Sequence, residues 1–215
     1  MQESETNGNS DSRSLNFWTL DEYKQFIQTM EPGTRYYLIF EMLFWTGCRI
    51  GELLAITKAD INFEKNQLSI NKTYYRTGMQ DIITEPKTKQ SFRTIEIPEF
   101  LKEEIKEFVD GHYGMPDTER LFPVVQEAVQ HKMKRQIELA GVKKIRVHDL
   151  RHSHVAYLIE KGVEPLLIRD RLGHKDIRIT LNTYGHLYPN QQRKIANLLD
   201  NENAVTGLGE ERDEC

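Results

Sequence analysis

One stretch of alternating residues interrupts a chain whose pattern is otherwise helical, and this change of period constrains the fold most. Between Gln67 and Pro98 lie three runs rich in Ile, Thr and Tyr, in which apolar and polar residues alternate. Thr-Gly and Lys-rich turns separate the runs, and this pattern predicts a three-stranded antiparallel sheet. Elsewhere apolar residues recur at helical spacing. The predicted helices are one opening at the capping box Thr19–Glu22, one from Arg35 to Gly47, one opening at Gly51, and the segments 99–109, 126–140, 149–161, 165–173, 177–187 and 191–199. The expected fold is mainly α with a small three-stranded antiparallel β-sheet, an α+β class.

The charge of the chain is divided unevenly. The 215 residues carry a formal net charge of −4, which by itself argues against a nucleic-acid partner. Residues 1–13 contribute −2 and residues 200–215 contribute −5, so residues 14–199 carry +3. Within that body, residues 131–151 hold seven Lys or Arg against two acids. This stretch is either a solvated helix face or a contact for a polyanion, and the sequence leaves both open.

Several classes of protein are excluded by simple counts. Cys48 and Cys215 are too few and too distant for a disulfide framework or a cysteine-based zinc site. The longest apolar-rich run, from Tyr36 to Trp45, contains Glu41 and is shorter than the roughly 18 residues of a membrane span. The polar N-terminus does not resemble a signal peptide. We therefore expect a soluble cytoplasmic protein without membrane contact.

Two groups of motifs carry polar chemistry. The first is TGCRIGEL, in which Gly47 and Gly51 bracket Arg49 at a helix start. There a guanidinium and the free N–H groups of the helix end could bind an anion, although this segment alone favours a surface Arg paired with Glu52 or Asp60.

The second group is HDLRHSH, LGHKD and TLNTYGH, within residues 148–186. His148 and Arg151 are three residues apart and share a helix face, while His174 follows a helix-ending glycine. Two arginines, separated histidines and the late Tyr184 are suited to phosphate chemistry with an oxygen nucleophile.

These four motifs, in this order, resemble those of the catalytic domain of tyrosine recombinases, the integrases of phages and conjugative transposons together with Xer-type recombinases. The resemblance runs from about Trp18 to Leu199. Position by position it implies that Arg49 and Arg151 grip the phosphate oxygens and that His148 is the proton shuttle. His174 would hydrogen-bond the phosphate, and Tyr184 would be the nucleophile.

The family also has a lysine on a β-hairpin, which protonates the leaving 5′ oxygen. The turn Pro86-Lys87-Thr88-Lys89 offers two candidates. The strand-turn-strand pattern of the family favours Lys87 over Lys89.

The resemblance further implies type IB transesterification through a 3′-phosphotyrosine, with no metal, ATP or other cofactor. Its partners would be double-stranded DNA at a core recombination site, a synaptic tetramer of the same protein, and accessory excision or DNA-bending proteins. Competing hypotheses are a type IB topoisomerase, a catalytically silent DNA-binding domain of the same fold, and a metal-dependent nuclease using His148, His152 and His154.

The expected organisation is a linker remnant at residues 1–17, the catalytic domain at 18–199 and an acidic flexible tail at 200–215. Members of this family ordinarily carry a core-binding domain before the catalytic domain. We therefore expect this chain alone to bind DNA loosely, and we expect residues 190–205 to form an oligomer contact.

Overall fold

The computed structural model describes residues 16–85, 92–112, 114–187 and 192–205. Its α-helices are α1 (Leu20–Ile27), α2 (Arg35–Thr46), α3 (Ile50–Ala55), α4 (Glu99–Asp110), α5 (Gln126–Ala140), α6 (Asp149–Glu160), α7 (Pro165–Leu172), α8 (Ile177–Tyr184) and α9 (Gln192–Val205). Its strands are β1 (Ile61–Asn62), β2 (Gln67–Ile70), β3 (Thr73–Thr77), β4 (Gln80–Thr84) and β5 (Arg93–Glu96). Short 3₁₀ turns lie at Lys58–Asp60 and Gly185–Leu187.

The helix boundaries follow the local signals in the sequence. The capping box before α1 is confirmed, since Thr19 Oγ1 accepts from the backbone N–H of Glu22 at 3.3 Å and Glu22 Oε2 accepts from that of Thr19 at 2.8 Å. Helix α2 ends at Gly47, whose φ of 65° lies in the left-handed region. The predicted ends of α5 and α7 at glycines are confirmed in the same way.

The grouping of the predicted strands is wrong, although the class is confirmed. The three-stranded antiparallel sheet has the order β1-β2-β5, with Leu68 opposite both Ile61 and Ile95. Strands β3 and β4 form a separate antiparallel hairpin. The run that began at Gln67 is split because Asn71 and Lys72 point their side chains at Asp60.

The C-terminal helix is longer than predicted. Helix α9 continues through Val205, whereas the pattern of the sequence indicated an end at Leu199 and a tail from residue 200. The side chains of Leu198 and Leu199 are exposed on it. Within the described ranges, no helix is long and apolar enough to cross a membrane.

Two apolar clusters hold the helices that carry the polar motifs. The larger contains nearly all of α2 and the face of α5 with Val129, Met133 and Ile137. The smaller joins α6, α7 and α8 through Val155, Ile159, Ile168, Leu172 and Tyr184. The late tyrosine therefore belongs to a packed helical layer.

Candidate active site

Arg49 occupies the position just before α3, with an extended backbone. Its backbone N–H and its Nη1 both donate to the carboxylate of Glu52, at 2.9 and 2.8 Å. The side chain of Arg49 is 41% exposed. The pairing with Glu52 that the segment alone favoured is therefore present, but it leaves the exposed edge of the guanidinium able to meet a ligand.

Glu52 is the buried carboxylate that Arg49 shares with Arg93. Its side chain is 5% exposed and also accepts two hydrogen bonds from Arg93, at 2.8 and 3.2 Å. Burial by itself raises the pKa of this carboxyl, but the hydrogen bonds and charges of Arg93 and Arg49 outweigh burial and lower the pKa to about 2. Glu52 is thus ionised at neutral pH and fixes the orientation of Arg49.

Gly51 lets the β3–β4 hairpin approach α3. A Cβ at this position would lie 2.7 Å from Thr73 Oγ1 and 2.8 Å from the carbonyl oxygen of Tyr74. The glycine after Arg49 therefore has a packing function.

Arg151 lies on α6 and is 4% exposed. Its Nη1 donates to the carbonyl of Gly47 and its Nη2 to that of Leu172, each at 2.7 Å. These carbonyls stand at the ends of α2 and α7, where unpaired carbonyl groups and the helix dipole favour a cation. Arg151 therefore ties the segment of Arg49 to the segment of His174.

The arginines create a local excess of positive charge. Burial, followed by repulsion from Arg49, lowers the pKa of Arg151 to about 9. Burial, followed by the charges of Arg151 and Arg49, also lowers the pKa of His174 to about 4. Burial, followed by the charge of Arg151, lowers the pKa of His148, against an opposite effect of Asp149 that exceeds the contribution of Arg49. An anion bound among these groups would relieve the repulsion.

His174 is held by the turn that ends α7. Gly173 has a φ of 67°, and the backbone N–H of His174 donates to Arg169 O at 3.1 Å. Its Nδ1 lies 2.9 Å from the hydroxyl of Thr180 on α8. The ring is therefore fixed between two helices, and Thr180 is a site residue that the motifs did not reveal.

Tyr184 is the last residue of α8 and is 2% exposed. Its hydroxyl oxygen lies 2.6 Å from Nδ1 of His152. Burial raises the pKa of Tyr184 to about 12, against the nearby charge of Arg151, which lowers it. The ring of Tyr184 is therefore fully packed, and its hydroxyl, the one polar atom of the side chain, faces α6.

His148 precedes α6, with its ring edge-on to that of His152 at 5.3 Å between centroids. Asp149 fixes the position of His148, because the Asp149 carboxylate accepts hydrogen bonds from Arg146. The backbone N–H of Arg146 donates at 2.9 Å and its guanidinium at 2.8 Å. The structure thus brings His148 beside the tyrosine through His152, which makes the hydrogen bond.

His154 points to another part of the protein. It is fully buried, and its Nε2 accepts from Arg171 Nε at 3.1 Å. Burial, followed by the charges of Arg171 and Arg151, lowers its pKa to about 3. His154 is buried against Arg171, and the described residues contain no cluster of three His, Cys, Asp or Glu side chains placed to hold a metal ion, so the three histidines of the nuclease hypothesis do not come together there.

The remaining sequence predictions divide as follows. Lys87 and Lys89, the two candidates for the hairpin lysine, lie outside the described residues. Cys48 is buried, and burial raises the pKa of its thiol to about 11, as expected of a packing residue. The ring of Tyr157 packs against that of Trp45 at 5.8 Å between centroids, away from the polar cluster.

Sequence reasoning considered His152 only as a metal ligand of the nuclease hypothesis, and it gave no role to Thr180 or to the ion pair of Glu52 with Arg93. A signal for His152 was present, because residues 148, 151 and 152 share one helix face at spacings of three and four. The contact of Thr180 with His174 and the contact of Arg93 with Glu52 are tertiary, and neither has a local signature.

This chain matches a known protein family and curated relatives in sequence. The model of the phage integrase family matches residues 16–191. The chain belongs to this family. The ICEBs1 integrase of Bacillus subtilis (strain 168) is 32% identical over 202 residues, which cover 87% of this chain and 55% of that protein. This integrase-family chain spans about half the length of the curated relatives it matches.

Solved structures agree on the fold. The integrase of transposon Tn1549, in complex with a circular intermediate DNA, superposes with a TM-score of 0.74 at 21% identity, over 90% of this chain and 67% of that one. The catalytic domain of bacteriophage HP1 integrase superposes with a TM-score of 0.58 at 18% identity, over 94% of this chain and 99% of that one. The family resemblance and the fold class expected from the motifs are confirmed.

Proposed function

We propose that this chain is the catalytic domain of a tyrosine-type site-specific recombinase, which cuts and rejoins the DNA of a phage or another mobile element. The observation that carries the proposal is the convergence on Tyr184. Its hydroxyl is hydrogen-bonded to His152. The charge of Arg151 lowers the pKa of Tyr184 and also lowers the pKa values of His148 and His174.

The residue roles follow from the chemistry of a phosphodiester. Arg49 and Arg151 neutralise the non-bridging oxygens, since a planar guanidinium offers paired donors to such oxygens. His174 donates a further hydrogen bond, and His148 exchanges protons near the tyrosine. Tyr184 is the nucleophile, and Lys87, ahead of Lys89, protonates the leaving 5′ oxygen.

The reaction conserves the energy of the phosphodiester. The oxygen of Tyr184 forms a bond to phosphorus as its proton leaves, and the bond from phosphorus to the 5′ oxygen breaks. The products are a 3′-phosphotyrosyl link and a 5′-hydroxyl. A 5′-hydroxyl from a partner duplex reverses the step, so neither ATP nor a metal ion is required.

A groove leads to this cluster. It has a volume of about 560 Å³ between α5 and residues 144–148, and its lining combines the apolar residues Met133, Ile137, Ile145 and Val147 with Lys134, Lys144, Arg146 and His148. The basic residues of this lining support the proposal that part of the basic stretch contacts a polyanion. Binding through such groups would weaken steeply with salt.

The partners follow from the same proposal. They are double-stranded DNA at a core site, other copies of the protein in a synaptic tetramer, and accessory excision or DNA-bending proteins, in the bacterial cytoplasm at the nucleoid. Helix α9, with Leu198 and Leu199 exposed, supports the proposal of an oligomer contact near residues 190–205. The division into a linker at 1–17, a domain at 18–199 and a tail from 200 stays a proposal.

Covalent trapping tests the proposed chemistry. The protein is incubated in EDTA with a nicked suicide duplex, whose short 5′-hydroxyl fragment diffuses away and prevents religation. We expect an adduct on a denaturing gel that Tyr184→Phe abolishes. The matched control is Tyr157→Phe, which also removes one phenolic hydroxyl but from a ring outside the cluster, and we expect it to retain the adduct.

The alternatives predict different outcomes. Cleavage that EDTA abolishes would support a metal-dependent nuclease, and binding without an adduct would support a silent DNA-binding domain. Transfer of the bound strand to a second duplex distinguishes a recombinase from a type IB topoisomerase. An adduct that survives in Tyr184→Phe would contradict the role of Tyr184.

A further inference from the structure

The hydroxyl of Tyr184 has a partner to which the family resemblance assigns no role. The 2.6 Å contact joins this oxygen to Nδ1 of His152, one residue after Arg151 on α6. The two rings are tilted at 52° with centroids 5.6 Å apart. His148, to which the resemblance assigns proton transfer, contacts the ring of His152.

The protonation states decide the direction of this hydrogen bond. Burial keeps the phenol of Tyr184 protonated, because it raises the pKa to about 12. Burial, followed by the charge of His148, lowers the pKa of His152 below its usual value. At neutral pH the phenol therefore donates to an unprotonated Nδ1, and the hydrogen of the imidazole is on Nε2.

We propose that His152 is the catalytic base in direct contact with Tyr184, which takes its hydroxyl proton as the phenol oxygen attacks the DNA phosphate, and that His148 exchanges protons with the site only through the ring of His152. This role rests on the proposed function. The O–H bond of Tyr184 breaks and an N–H bond forms at Nδ1, while phosphorus gains the phenol oxygen and loses the 5′ oxygen. That oxygen leaves with the bonding electron pair and takes its proton from a separate acid, the lysine of the proposed mechanism. In the reverse step His152 returns its proton to Tyr184.

The groups around His152 make its basicity dependent on the substrate. Asp149 and Arg151 lie near it on its own helix, Arg146 and His148 lie just before that helix, and Tyr184 faces it from α8. Both arginines and a protonated His148 disfavour the imidazolium, whereas Asp149 favours it. A phosphate bound at Arg151 would offset the positive charge. Proton transfer thus becomes favourable when the substrate is in place.

Substitution by asparagine separates proton transfer from positioning. The amide of Asn places a polar atom near the position of Nδ1 but cannot accept a full proton, whereas alanine removes both properties. The rate of adduct formation is measured in single turnover, at saturating protein with the nicked suicide duplex, from pH 5.5 to 9. His112→Asn is the matched control, because His112 lies beyond the end of α4 and bonds Phe108 O.

We expect the wild-type rate to rise with pH and then level off, as His152 loses its proton. His152→Asn should be slower by about 100-fold at pH 7, within the usual contribution of a general base. Its rate should keep rising with pH, as hydroxide replaces the lost base. Added imidazole should partly restore His152→Ala, and His112→Asn should match the wild type.

A substrate with sulfur at the bridging 5′ position shows whether a substitution impairs protonation of the leaving group or removal of the proton from Tyr184. A thiolate leaves without protonation, so this substrate restores variants that lack the acid for the leaving group. It should leave the defect of His152→Asn unchanged. Full restoration, or a His152→Asn rate within threefold of the wild type at every pH, would overturn the role of His152. Absence of any wild-type adduct would instead overturn the proposed function, and the catalytic role of His152 with it.

Discussion

Replacing Glu52 by glutamine should destabilise the protein by an amount that the structure sets. The carboxyl is 5% exposed, and its pKa is lowered from 4.5 to about 2, because the bonds and charges of Arg93 and Arg49 outweigh the effect of burial. At about 1.4 kcal/mol per pKa unit, this difference corresponds to about 3 kcal/mol of stability at pH 7. Breaking a buried ion pair by removing one charge independently suggests about 3 to 5 kcal/mol.

The pH dependence gives this prediction its sign. A lowered pKa means that the stabilisation is present above the unfolded value of 4.5 and is lost as the pH falls toward 2. Urea unfolding of wild type and Glu52→Gln should therefore differ by about 3 kcal/mol at pH 7 and by about 2 kcal/mol at pH 3.5. The exposed Glu64→Gln is the control, with an expected change within about 0.5 kcal/mol. A difference below about 1 kcal/mol at pH 7 would refute the assignment of Glu52 as the ionised centre of the arginine pair.

Two further perturbations have definite outcomes. Burial raises the pKa of Glu41 to about 7, so its carboxylate costs stability as the pH rises from 4.5 to 7. In urea unfolding, the free energy of unfolding of Glu41→Gln should exceed that of the wild type by up to about 3 kcal/mol at pH 8 and match it near pH 4.5. A pH-independent difference would contradict this. At Gly47, with φ 65°, a Cβ would lie 2.5 Å from His154 Cδ2, so Gly47→Ala should lower the free energy of unfolding by about 2 to 4 kcal/mol. Gly33→Ala, with φ 76° and open space, should lose only about 1 kcal/mol, and equal losses in the two variants would show that the contact with His154 is relieved without cost.

The sequence predicted best the features that have local causes. Helix ends at Gly47, Gly141 and Gly173 and the capping box at Thr19 depend on residues a few positions apart. The strand pairing depended on a tertiary contact. Asp60 draws Lys72 out of the alternating run, and nothing between residues 67 and 75 indicates that break.

The candidate site divides along the same line. The motifs identified Arg49, His148, Arg151, His174 and Tyr184, and the structure brings their segments together. They did not show that Arg151 would be bound to two helix-terminal carbonyls. Nor did they show that His152, not His148, would contact the tyrosine hydroxyl, because both histidines share a helix face and only the placement of α8 distinguishes them.

The most direct test of the central claim is the chemical identity of the protein–DNA link. The adduct from the nicked suicide duplex is digested with protease and nuclease, and the cross-linked peptide is sequenced by mass spectrometry. We predict a 3′-phosphonucleotide on Tyr184, in the peptide that contains TLNTYGH. A nucleotide on any other residue, or one attached through a 5′-phosphate, would contradict the account.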